Sequence, residues 1–176
     1  MEKTKEAPVA MSAELEKAFN DQITLEFSSE YVYMQMAAYF EHQDLPGFAQ
    51  WMRLQAAEEH AHGLKFFDFL LDRGNVVELG PLPAPKNDFG STVEVFEASL
   101  AHEKKVTAAI HNLYKRCSEA EEYQALPLLH WFIDEQVEEE SSVSQIVERV
   151  RRAGSDGAAL LFLDRELGER GTTAEG

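Results

Sequence analysis

Large apolar residues recur along this chain at alternating steps of four and three, the spacing of one helix face. One series reads Phe48, Met52, Gln55, Glu59, His62, Phe66, Phe69. Three more read Phe19, Ile23, Glu26, Glu30, Tyr33, Ala37, Phe40; then Val93, Phe96, Leu100, Glu103, Thr107, Ile110, Tyr114, Cys117; then Leu129, Phe132, Gln136, Glu139, Val143, Ile146, Val150. Four long helices are predicted, and no strand-like alternation competes with them. Ser12 suits the N-cap of the first, with Glu14 and Glu16 in its first turn, and the pattern runs to about Glu41. Pro46 suits the opening of the second, which stops at Gly74. Ser91-Thr92-Val93-Glu94 reads as a capping box for the third. The fourth is expected to begin near Tyr123, with Pro127 tolerable only close to its start, and to end at Ala153-Gly154. Asp156 then caps a short apolar helix from Ala158 to about Leu167.

Between Gly74 and Gly90 the periodicity vanishes, and Pro81, Pro83 and Pro85 stiffen the chain. Such a segment reaches about 50 Å when extended, the length of a long helix. The simplest use is a crossover from one end of a bundle to the other, which makes the third helix parallel to the second. The expected fold is all-α: a four-helix bundle with a long crossover between helices 2 and 3 and a short C-terminal fifth helix. Residues 1–11 and 169–176 read as flexible tails around one domain at 12–168.

Composition changes the picture mainly through charge. With 32 acidic against 16 basic residues the chain carries a formal −16, which argues against a nucleic-acid partner held by its phosphates. Cations are the more natural partners, although acidity for solubility accounts for part of the excess. No signal-peptide core and no transmembrane stretch is evident, so a cytoplasmic protein with no membrane partner is expected. Cys117 is the lone cysteine, which excludes an internal disulfide or a Cys-rich metal site and reads as core.

Polar residues interrupt every apolar series near its middle: Glu26, then Glu59 and His62, then Glu103, then Gln136 and Glu139. In a bundle with this crossover the four mid-points lie at one level, so these side chains converge. Several carboxylates gathered in low dielectric repel strongly unless cations neutralise them. The Glu59-x-x-His62 step puts two ligands one turn apart on one face, as bundle metal sites do. An oxygen-rich site with one imidazole and no sulfur suits two divalent ions, Fe(II), Mn(II) or Zn(II). Two adjacent irons can each give an electron to O₂, which points to oxidation of metal or substrate.

The combination Leu25-Glu26-Phe27, Glu58-Glu59-His60-Ala61-His62, Glu103 and Glu135-Gln136-Val137-Glu138-Glu139-Glu140 resembles the non-haem bacterial ferritins, over about residues 12–168. The resemblance implies a ferritin-like bundle assembled into a hollow homo-oligomer of 24 subunits. It implies a ferroxidase that oxidises Fe(II) with O₂ or peroxide at a di-iron centre and stores ferric oxyhydroxide within the shell. By the same resemblance Glu26, Glu59 and His62 bind the first iron, with Glu59 bridging. Glu59, Glu103 and Glu139 hold the second, with Gln136 nearby to coordinate or to orient a ligand. A weaker third site falls on Glu58, Glu135, Glu138 and Glu139, for which a solvated acidic face is the plainer reading. Tyr33 matches the family's tyrosine beside the centre, able to hydrogen-bond a ligand or supply an electron.

Three points do not fit a simple copy. Glu30 is a second acid one turn from Glu26, assigned either to a water-filled part of the bundle or to a further cation site. Haem is not expected. The related bacterioferritins repeat Glu-x-x-His in the fourth helix and carry a ligating Met after the first motif's Glu, whereas this chain has Gln136-x-x-Glu139 and His60. Two other classes compete with storage: a rubrerythrin-like di-iron oxidase, without its Cys-rich module, and a structural subunit whose site is idle or zinc-filled.

Overall fold

The structure, a computed structural model, describes residues 10–169. Five α-helices occur in that span: α1 (Ala13–His42), α2 (Pro46–Asp72), α3 (Thr92–Glu119), α4 (Leu126–Ala153) and α5 (Gly157–Gly168). Their ends follow local chemistry. Ser12 Oγ accepts the Leu15 N–H at 3.3 Å, and Asp156 Oδ1 accepts those of Ala158 and Ala159 at 2.9 and 3.3 Å. Gly74 terminates α2 at φ 72°, a left-handed conformation that glycine adopts without strain.

Ring contacts fix the topology. Phe19 meets Phe66 and Phe40 meets Phe48, so α1 and α2 are antiparallel. Ser29 meets His102 and Phe40 meets Phe96, so α3 is antiparallel to α1 and parallel to α2. Phe66 stacks on Phe132 with centroids 4.1 Å apart, while Gln55 reaches Glu139, so α4 is antiparallel to α2. The expected crossover bundle is what forms. Its apolar interior is split in two, one cluster around Phe40, Phe48, Phe96 and Val150 and another around Phe19, Phe66, Ile110 and Phe132. The polar seam residues fill the level between them.

The crossover is lashed to α1 by a ladder of polar groups. Glu16 Oε2 accepts from Asn75 Nδ2 and the Val76 N–H at 2.7 and 3.0 Å. Asn20 donates to the Val76 carbonyl at 2.9 Å and accepts the Glu78 N–H at 2.7 Å, and Thr24 Oγ1 accepts the Gly80 N–H at 3.1 Å. Four helical residues rise about 6 Å and two extended residues span about 6.6 Å. The two rows therefore stay in step through polar rungs, with Val77 the partly buried apolar residue among them, which is why no periodicity marks the segment.

α5 supplies a missing cap. Leu45 precedes α2 and offers no side-chain acceptor; the buried Asp164 takes that role from α5, accepting the Phe48 N–H at 2.8 Å. The close approach needs Gly47: a Cβ there would lie 1.8 Å from the Asp164 carbonyl oxygen.

Several details differ from the periodicity. Ser29 and Leu70, rather than Glu30 and Phe69, are buried, and on α3 the buried positions are Ser99, Val106 and Leu113 in place of Leu100, Thr107 and Tyr114. A 3.6-residue repeat admits either a three- or a four-residue step, and only packing decides which. α4 begins at Leu126 after a 3-10 turn at Tyr123–Ala125, with Pro127 in its first turn. The capping box closes one residue early: Ser91 Oγ accepts the Glu94 N–H at 3.2 Å, but the Glu94 carboxylate takes the Gly90 N–H at 2.7 Å. Residues 1–9 and 170–176 of the expected tails lie outside the described residues; Met11 is buried, its N–H bonded to Asn75 Oδ1 at 2.8 Å. No helix among the described residues is long and apolar enough to cross a membrane.

Candidate metal centre

α1 and α2 bring Glu26, Glu59 and His62 together, one ligand atom of each lying within 4.8 Å of the others. All three are buried. The Glu59–His62 pair is one turn apart on α2, with His62 Nδ1 3.6 Å from Glu59 Oε2. From the other helix pair come Glu103, Gln136 and Glu139, also buried. Gln136 Nε2 donates to Glu103 Oε2 and to its carbonyl, both at 3.2 Å, so it orients this carboxylate. Tyr33, fully buried, donates to Glu103 Oε1 and shares a 2.9 Å hydrogen bond with Ser99 Oγ.

What these carboxylates lack is as telling as what they have. Both oxygens of Glu59 and Oε2 of Glu26 are buried without a hydrogen-bond partner. A buried anion in that condition costs several kcal/mol. The cost appears in the acidities. Burial, then the adjacent Glu59 charge, pushes the Glu26 carboxyl well above the ordinary carboxylate range. Burial and then Glu103 do the same to Glu59. Glu103 is raised by burial, with the Tyr33 and Gln136 bonds opposing; Glu139 is raised to about 7 by burial and by Glu103. Burial, then the Glu103 charge, lifts the Tyr33 phenol far above its usual value. Protons or cations must neutralise this layer, and the orphaned Glu59 Oε2 lies 3.6 Å from His62 Nδ1. The donor set fits hard divalent ions.

The third-site candidates divide. Glu58 and Glu135 are half-buried, Glu135 Oε1 lying 3.9 Å from His62 Nε2, while Glu138 is exposed. Glu30 does not join the centre. It turns outward to His60, Oε2 to Nδ1 at 3.0 Å, beside a cavity of about 380 Å³ between α1, α2 and the crossover. Cys117 is core, its thiol pushed up to about 11 mainly by burial. Sequence reasoning left two buried amides without a role: Gln22 donates to Glu26 Oε1 at 2.6 Å and Gln55 to Glu139 Oε2 at 2.8 Å. For Gln22 a signal was present, the four-residue step to its acid in Gln22-x-x-x-Glu26; Gln55 bonds an acid on another helix, which its own spacing does not mark.

Comparison with known proteins agrees with this architecture. The Ferritin-like domain family matches residues 16–153. Bacterial non-heme ferritins of Staphylococcus aureus and Staphylococcus haemolyticus are 39% identical over 160 residues, covering 91% of this chain and 96% of theirs. A solved open-pore ferritin from the hyperthermophilic archaeon Archaeoglobus fulgidus superimposes with TM-score 0.90 at 41% identity, covering 91% of this chain and 98% of its own. A closed form of the Archaeoglobus ferritin, engineered by site-directed mutagenesis, gives 0.90 at 42% identity. With its bundle matched from the first turn of α1 to the end of α4, the chain belongs to the ferritin family.

Proposed function

We propose that this protein stores iron and is a ferroxidase, oxidising Fe(II) with O₂ or hydrogen peroxide and depositing it as ferric oxyhydroxide inside a shell of 24 copies in the cytoplasm. The observation that carries the reading is the buried Glu59 carboxylate, with no hydrogen-bond donor on either oxygen, between Glu26, His62 and Glu103. Glu26, Glu59 and His62 bind one ferrous ion; Glu59, Glu103 and Glu139 bind the second. Gln136 and Tyr33 hold Glu103 in place, and Gln55 holds Glu139. Glu58, Glu135 and Glu138 form the third, weaker site.

Glu139, its pKa raised to about 7, keeps its proton in a large share of metal-free molecules at neutral pH, so a ferrous ion enters by displacing it. Two ferrous ions then each give up one electron, and O₂ takes two electrons and two protons to leave as hydrogen peroxide. Hydrogen peroxide, taking the same number of each, leaves as water. Burial excludes bulk water from this exchange, and the fixed carboxylates favour the more highly charged ferric product. Self-assembly is supported by apolar side chains left on the surface: Tyr31, Met34, Leu79 and Leu82 on one face, Leu161 and Phe162 on α5.

Stopped-flow absorbance during Fe(II) addition in air, followed by light scattering on the size-fractionated product, tests the reading. Fast oxidation and iron retained in a particle of twenty-four 19.9 kDa chains are expected. Oxidation no faster than in buffer, or iron lost on fractionation, would overturn it.

A further inference from the structure

The centre has two unlike approaches. On the α2–α4 side stand Glu58, Glu135 and Glu138, with Glu135 Oε1 3.9 Å from His62 Nε2. On the α1–α3 side lies a groove of about 300 Å³, lined from α1 by Ala18, Asp21, Gln22 and Leu25 and from α3 by Ala109, Asn112, Leu113 and Arg116. Its charges are already paired off: Lys17 holds Asp21 at 2.6 Å, and Arg116 holds Glu14 at 3.2 Å. Half of the lining is alanine and leucine, the rest being Asp21, Asn112, Arg116 and the buried Gln22, whose amide forms its floor. That same amide donates to Glu26 Oε1 one helical turn away, about 6 Å along the axis. Gln22 is thus the partition between an open groove and the carboxylate layer.

A groove lined by one acid and one base, and so without net charge, gives no attraction to a ferrous ion, whereas the acidic side does. It suits a small uncharged molecule. Resting on the ferroxidase reading, we propose that the α1–α3 groove admits the oxidant, O₂ or hydrogen peroxide, with Gln22 as the movable partition. Ferrous ions arrive by the acidic α2–α4 side. Gln22 acts through access and through Glu26, as a positioning residue.

Two variants test this. Ala109→Trp fills the groove while leaving Gln22 and every carboxylate of the layer unsubstituted, and Gln22→Ala removes the partition. Each protein is first titrated anaerobically with Co(II), read by its d–d absorption, to confirm that the centre takes up metal as the wild type does. It is then loaded with Fe(II) without oxygen and mixed with O₂ or with hydrogen peroxide. The expected result is an oxidation rate constant at least about tenfold lower in Ala109→Trp, with its Co(II) binding rate and stoichiometry unchanged, and an oxidation rate constant per bound metal that is raised in Gln22→Ala. Crystals of the wild type under xenon pressure should show xenon in the groove, and those of Ala109→Trp should not. Slowing by only one of the two oxidants names which one uses the groove. Unchanged oxidation in Ala109→Trp overturns the proposal, as does slowing of Co(II) binding and oxidation alike. Failure of the wild type to bind Co(II) overturns the ferroxidase reading, and this proposal with it.

Discussion

Two buried acids in this molecule have opposite surroundings. Asp164 is built into the α2–α5 junction and accepts a backbone N–H that would otherwise have no partner. Glu59 is buried more deeply, in the middle of the bundle, and neither of its oxygens receives a hydrogen bond. Burial alone therefore does not mark a functional acid. The mark is a charge that no fixed donor of the protein satisfies in a place where other acids gather, so that a proton or a cation from outside has to complete it.

That contrast can be broken experimentally. The largest effect is expected from Glu59→Ala combined with His62→Ala, which should slow Fe(II) oxidation by at least about a hundredfold, while Asp164→Ala leaves the rate unchanged. Stopped-flow measurement on assembled particles compares them, and wild-type rates in the double variant would remove the assigned centre.

A second effect concerns pH. A carboxyl whose pKa rises on folding binds its proton more tightly in the folded chain, so its stabilisation is complete below the ordinary 4.5 and is lost as pH climbs through the folded value. For Glu139 that window runs from 4.5 to about 7, and the rise corresponds to about 3 kcal/mol. Chelator-treated protein should lose stability across this range, Glu139→Gln should flatten the loss, and metal-loaded protein should not show it. Thermal or denaturant unfolding at a series of pH values reads all three.

The smallest effect is a difference of sign. In metal-free protein Glu59→Gln should raise stability by about 1–2 kcal/mol by removing an unsatisfied charge, whereas Asp164→Ala should lower it by a similar amount by uncapping α2. Denaturant titrations that shift both variants the same way would show that the two acids are not of different kinds.

The sequence made the metal-centre candidates legible because polar residues in an apolar seam stand out against a regular background. Glu26, Glu59, His62, Glu103, Gln136 and Glu139 all occupy the buried level between the two apolar clusters. Glu30 was misplaced because a four-residue step from Glu26 fits the helix as well as the three-residue step to Ser29, and a serine does not look like core. Asp164 escaped because its role depends on which helix end α5 lies against, a contact far away in the chain. The amides were overlooked for another reason: hydrogen-bond direction has no periodicity to betray it, so Gln22 looked like an ordinary polar helix residue, and Gln55, although on the apolar series of α2, gave no sign of its partner on α4.

The ladder between α1 and the crossover bears on how the two halves of the bundle find one another. With Gly80 fastened to Thr24, the stretch still free to wander before α3 is residues 81–90 rather than the full 74–90. The saving in closure entropy is small, about half a kcal/mol. Direction matters more: the fastening hands α3 to the end of the α1–α2 hairpin where it must start. Half of the carboxylate layer thus waits on one preassembled hairpin for the other half to be delivered in register.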